Sequence, residues 1–264
     1  MSLGIIIKGP EGLVLATESR VTITSRSNEG TRTHVNFDNA TKLLSFSPPN
    51  NAVGTVTYGQ AAIGLRTAQS FLPEFEAELP EQRLSVQAFA QRLSDFFLRQ
   101  WQAVMHPDYK GLDMTFVVGG FNQGEPYGRV FLFDIPRKPT PQEQNARPGE
   151  FGITWGGQRE FVDRLIQGYD YRLPDTVTKA LDLNDDQSQE LRQAIGKLQM
   201  QIPLIAMPLQ DCVDLAIFFI RTTIIGQRLT VGMQGCGGPI DVATITRREG
   251  LRFIQHKQIV GERP

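Results

Sequence analysis

The sequence predicts a layered α+β fold in which antiparallel sheets are covered by helices. Three observations carry that expectation. Apolar runs come in pairs joined by turn formers, segments of helical periodicity come in blocks between those pairs, and nowhere does a single strand alternate with a single helix as a parallel βαβ sheet requires. The order along the chain reads ββ, αα, ββ, αα(α), ββ.

Taken in order, Gly4 to Lys8 and Leu13 to Thr17 are apolar runs joined by Gly9-Pro10-Glu11-Gly12, which predicts a hairpin at the start of the chain. Strands are expected at Lys42 to Ser47 and Ala52 to Tyr58, with Pro48-Pro49-Asn50-Asn51 as the turn. Ala61 to Phe75 reads as a helix. Val86, Phe89, Ala90, Leu93, Phe97, Trp101 and Val104 recur at three- and four-residue spacing, so a second helix follows, with Ser85 or the residue before it in position to cap it. Met114 to Phe121 and Arg129 to Ile135 form the next hairpin around Asn122-Gln123-Gly124. Pro136, Pro139, Pro141 and Pro148 make the stretch up to Gly149 read as loop. Helices are expected at Arg159 to Gln167, Gln187 to Met200 and Leu209 to Ile225. A last hairpin, Ile240 to Arg247 with Leu251 to Gln255, turns at Glu249-Gly250.

With 264 residues, 40% hydrophobic and 21% charged, the chain has ordinary globular composition, and residues 1–264 read as one large domain. Lys and Arg number 27 against 28 Asp and Glu, a net charge of −1, so there is no field to hold a polyanion and nucleic acid is not an expected partner. Cys212 and Cys236 form neither a CxxC motif nor a disulfide framework, which fits a reducing compartment. No secretory signal pattern opens the sequence, so a cytoplasmic location is expected. The most apolar stretch, Ile202 to Ile225, is broken by Gln210, Asp211, Asp214 and Arg221; it reads as a buried core helix and not as a membrane span.

The phosphate-loop, dinucleotide, zinc-protease, nucleophile-elbow and EF-hand patterns are all absent. His34, His106 and His256 lie far apart without ligand spacing, so neither a metal nor a cofactor is expected. Gly235-Cys236-Gly237-Gly238 reads as a tight turn before a strand, and Cys236 as a small packing residue.

Four segments together resemble the proteasome β subunits and their bacterial relatives of the HslV and Anbu types. They are Gly4 to Lys8 with Leu13-Val-Leu-Ala-Thr-Glu-Ser-Arg20-Val-Thr; Asn39-Ala-Thr-Lys42-Leu-Leu; Thr57-Tyr-Gly59-Gln-Ala-Ala; and Gly237 through Gly250. The resemblance runs in order along nearly the whole chain. It implies the four-layer αββα sandwich of N-terminal-nucleophile hydrolases and a threonine-type peptidase chemistry, in which the nucleophilic residue's own α-amine is the general base. By the same resemblance, Lys42 is the lysine that lowers the pKa of the nucleophile, Glu18 is its acidic partner, and Gly59 offers the oxyanion N–H, with Val56 as the position in an alternative register. Without the resemblance, Glu18 and Lys42 read as an ordinary strand-borne ion pair and Gly59 as the residue that opens the following helix.

The sequence departs from that family in three places. The nucleophile is expected four residues before Gly4, ahead of Met1, which leaves Ser2 two residues out of register. The supporting serine position falls on Gly156, and the Asp-x-x-Ser support on Met233 to Cys236, without the polar groups. The stretch at about 168–208 has no counterpart in compact members and reads as a helical insertion. The resemblance further implies a homo-oligomeric ring, a peptide or unfolded-protein substrate and a possible ATPase partner. A catalytically silent ring subunit and a small-amide amidase remain as rival readings.

Overall fold

The computed structural model describes residues 2–26, 32–232 and 234–261. Strands β1 (Leu3–Lys8) and β2 (Leu13–Glu18) form the predicted hairpin, closed by Gly9 N–H donating to Gly12 O at 3.0 Å. Next come β3 (Val21–Arg26) and β4 (Arg32–Phe37), a two-stranded ribbon, then β5 (Leu43–Ser45) and β6 (Val53–Gly59). A small hairpin, β7 (Ala62–Ile63) with β8 (Arg66–Thr67), leads through a 3-10 turn into α1 (Leu72–Ala77) and the long α2 (Val86–Val104). Strands β9 (Met114–Gly120), β10 (Arg129–Ile135), β11 (Lys138–Gln144) and β12 (Gly152–Gly157) follow. The chain ends with α3 (Glu160–Ile166), α4 (Leu173–Ala180), α5 (Asp185–Gly196), α6 (Leu209–Leu229), β13 (Ile240–Thr246) and β14 (Gly250–Gln255).

Two five-stranded antiparallel sheets organise these elements, in the orders β12-β1-β2-β13-β14 and β11-β10-β9-β6-β5. β1 and β2 are buried along their whole length, which explains why both read as continuous apolar runs and not as alternating ones. Alternate residues of β1 serve different cores: Leu3, Ile5 and Ile7 pack with Val162 of α3 and Phe219 and Ile220 of α6, whereas Ile6 packs with Val56, Val117 and Val130 of the other sheet. The second sheet packs Phe116, Val118 and Phe133 with Phe71, Phe75, Phe89 and Phe97, where the 3-10 turn and α1 meet α2 through edge-on pairs such as Phe71 with Phe97 and Phe75 with Phe89. Ser85 caps α2, its hydroxyl accepting from Ala88 N–H at 3.2 Å.

Four sequence expectations are corrected. Residues 61–75 are not one helix. Ala62 to Thr67 form a hairpin, and only Leu72–Ala77 is α-helical, with a proline in its first turn where a missing N–H is harmless. The proline-rich stretch after Ile135 contains strand β11, possible because it lies at the edge of its sheet, where Pro139 and Pro141 need not donate on the open side. The segments 21–37 and 152–157, to which the sequence reading assigns no element, form β3, β4 and β12; the first places Val21 opposite Phe37 and Ile23 opposite Val35. In the region 168–208 the helices are α4 and α5, the first unforeseen. α5 opens with a capping box between Asn184 and Gln187 and has no buried residue. Among the described residues no helix is long and apolar enough to cross a membrane.

Candidate functional site

The pairing of β1 with β2 sets Gly4 opposite Thr17, so the residues just before β1 lie beside Glu18 at the end of β2. Leu3 N–H donates to Glu18 Oε1 at 3.3 Å. The chain then leaves through the β3–β4 ribbon and returns at Lys42, immediately before β5. The lysine ammonium donates to Glu18 Oε1 at 2.6 Å, to Ser2 Oγ at 2.7 Å, and to the carbonyl oxygen of Arg20. Three acceptors thus match its three protons. Glu18 is fully buried and Lys42 nearly so. The second carboxylate oxygen, Oε2, accepts from Arg20 N–H at 2.7 Å and Gly237 N–H at 3.0 Å, so each oxygen of Glu18 has two donors. Burial drives the pKa of Lys42 below the ordinary lysine value, and the Glu18 carboxylate opposes that fall.

Ser2 therefore lies in hydrogen-bond contact with Lys42, which corrects the register expected from the sequence. A count of residues back from Gly4 ignores the cross-strand pairing. Leu3 N–H reaches Glu18, and the residue before it reaches the lysine. Its hydroxyl is buried at a 5% exposed residue, and its carbonyl oxygen accepts from Gln158 N–H at 2.7 Å.

That last contact depends on Gly157, whose φ is +90°. A Cβ at this position would lie 1.8 Å from Ser2 O, so the backbone of β12 can approach Ser2 only without a side chain. Gly157→Ala should lower stability by about 1–3 kcal/mol from the left-handed backbone alone. It should also displace Ser2 from Gln158. Chemical denaturation checks the first effect, and loss of protection of the Gln158 amide against hydrogen exchange checks the second.

Gly59 ends β6 with φ +87°, and a Cβ there would meet Asp113 O at 2.2 Å. It lines one cleft with Ser2, Lys42, Val21, Ala40, Thr41, Ala61 and Ala68. The four residues Ser2, Glu18, Lys42 and Gly59 are thus brought to one place, whereas Val56 pairs with Leu43 and Val117 in mid-sheet, fully buried in the core. Gly59 does not open a helix; a short hairpin follows it.

The space at Gly156, where a supporting serine was expected, is taken by Tyr58. A Cβ at Gly156 would lie 2.2 Å from the phenol oxygen, so a serine there and this tyrosine exclude each other. Burial raises the phenol's pKa and keeps it neutral. Of the second expected support, Met233 lies outside the described residues. Cys236 is buried, with its thiol pKa pushed well up by burial, in keeping with a packing role. Among the described residues no group of histidines, cysteines and carboxylates could hold a metal ion.

No protein-family model and no curated protein matches the sequence. Solved structures do. A Gly-1 mutant of Anbu from Hyphomicrobium sp. strain MC1 aligns with a TM-score of 0.56 at 14% identity, covering 97% of this chain and 87% of that chain. Anbu, an ancestral β-subunit, from Yersinia bercovieri aligns with a TM-score of 0.53 at 16% identity, covering 97% of this chain and 88% of that one. The likeness runs through nearly the whole chain and is one of fold: two five-stranded antiparallel sheets with helices, as in the proteasome-like Anbu structures.

Proposed function

We propose that this chain is an N-terminal-nucleophile hydrolase that cleaves peptide bonds through Ser2, and that it works as a subunit of a self-compartmentalising, proteasome-like ring. The observation that carries this reading is the hydrogen bond of 2.7 Å from the Lys42 ammonium to Ser2 Oγ, with Glu18 buried behind the lysine. The hydroxyl placed against that buried pair favours this reading over a silent scaffold subunit. The three apolar cores support the four-layer αββα arrangement, with residues 1–264 as one domain and the helices at about 168–208 as an insertion on it.

In this mechanism the peptide bond before Ser2 is first cleaved, which frees its α-amine. Ser2 Oγ attacks the scissile carbonyl and its proton passes to the α-amine, while the positive Lys42 favours the alkoxide. The N–H of Gly59 holds the tetrahedral oxyanion. Collapse breaks the C–N bond, the leaving amine takes the proton from the α-ammonium, and the acyl group remains as an ester on Ser2. A water activated by the same amine then hydrolyses that ester. The small uncharged lining of Val21, Ala40, Thr41, Ala61 and Ala68 suits an uncharged side chain of modest size on the acyl side.

The reading is tested by treating the processed protein with a peptidyl β-lactone and mapping the adduct by mass spectrometry. Acylation of Ser2 is the expected result, and no adduct, or one elsewhere, rejects it. The pH dependence offers a second check. kcat/KM should rise as the α-amine loses its proton, at or below its ordinary pKa of about 7.7–8.0 because Lys42 is positive nearby. It should fall again as Lys42 deprotonates, below the 10.5 usual for lysine because burial lowers that value.

A further inference from the structure

We infer that Gln227 is a positioning residue for the Ser2 site, tying together the two backbone segments that hold the nucleophile and its charged partners. The inference rests on the Ser2 reading and concerns a residue no motif singles out. Gln227 lies on α6, which the sequence reads as plain core helix, yet its side chain is buried at 6% exposure. Its amide oxygen accepts from Cys236 N–H at 2.9 Å, and its amide nitrogen donates to Gln158 Oε1 at 3.0 Å.

Each partner leads to the site in one step. Gln158 is the residue whose backbone N–H holds Ser2 O. Cys236 precedes Gly237, whose N–H donates to Glu18 Oε2 and whose carbonyl oxygen accepts from Ser19 N–H at 3.1 Å. One buried amide therefore joins the Gln158 side chain to the Cys236 backbone, on the two sides of the Ser2, Lys42 and Glu18 cluster. An amide suits this place, because Cys236 N–H needs an acceptor while Gln158 Oε1 takes a donor. Since Tyr58 takes the space of a supporting serine at Gly156, this bridge supplies positioning there. Holding Ser2 O fixes the torsion that aims both its hydroxyl and its α-amine, and a misplacement of about 1 Å can cost on the order of 10²-fold in rate.

The test compares the processed protein with Gln227→Met, an apolar replacement of similar length, and with Gln227→Glu, which keeps the acceptor and removes the donor. Two readouts are needed: amide hydrogen exchange of Gln158 and Gly237, and the rate of Ser2 acylation by a peptidyl β-lactone. Gln227→Met should raise exchange at both amides at least tenfold, leave the β9 amides unchanged, and slow acylation tenfold or more with little change in the concentration dependence. Gln227→Glu should loosen Gln158 more than Gly237. Unchanged exchange overturns the inference. Faster exchange with an undiminished acylation rate also overturns it, reducing the bridge to a purely structural contact. If Ser2 of the unaltered protein is not acylated, the hydrolase reading fails first, and the positioning role falls with it.

Discussion

Freeing the α-amine of Ser2 should switch peptidase activity on, and Ser2→Ala in the same processed protein should lower kcat/KM for a fluorogenic peptide by about 10³-fold or more. The mechanism needs hydroxyl and amine on one residue, so protein still carrying the preceding residue should be inactive although folded. Ser2→Thr keeps both groups and should retain activity within about tenfold, the added methyl being the cost at a site already only 5% exposed. A version with threonine four residues before Gly4 as its N-terminus should fail, because that hydroxyl overshoots the lysine. Equal melting temperatures across the set would assign the differences to chemistry. Full activity with the preceding residue in place would show that the α-amine is not the base.

Lys42→Met should destabilise the fold by about 3–5 kcal/mol, because it strips the fully buried Glu18 of its compensating charge. The double variant Glu18→Gln/Lys42→Met removes both charges and should recover most of that loss while remaining inactive. Glu18→Gln alone leaves a buried ammonium without its anion, and the sign of its pH dependence follows. The folded pKa of Lys42 already lies below the unfolded value of 10.5 and falls further once the carboxylate is gone. The penalty is therefore fully present below the folded pKa and is relieved as pH rises from there toward 10.5, where the folded state has shed a proton that the unfolded state still binds. Denaturant midpoints across that pH range check the trend, and a flat profile would contradict it.

Much of this architecture is legible in the sequence where burial imposes one pattern. The runs at β1, β2, β9 and β10 and the apolar stripe of α2 announce themselves because each covers a core. β11 is hidden because edge position tolerates the prolines that otherwise signal a loop, and β7 and β8 are too short for any periodicity. In the site, Glu18 and Lys42 are separated by the β3–β4 ribbon, so only the likeness of their flanking segments points to both. Ser2 had a signal that a count along one strand missed: in the predicted hairpin, Leu3 falls beside Glu18, which sets Ser2 at the lysine. Gln227 and Gln158 had none. Their contact joins positions 69 apart, made by the packing of α6 near the end of β12.

The bare helix α5, with no buried residue, and α4, whose one buried residue is Pro174, have an energetic consequence of their own. Beyond Pro174, opening them exposes only half-buried apolar side chains such as Val177, Leu191 and Ile195, so their local unfolding should cost less than that of the sheets. They are expected to behave as a weaker cooperative unit, held by surface ion pairs such as Arg192 with Asp175 and by the close approach of Gly168 to Leu198. Such a unit should shed order first, with amide exchange in α4 and α5 outpacing that of the hydrogen-bonded residues around Ser2.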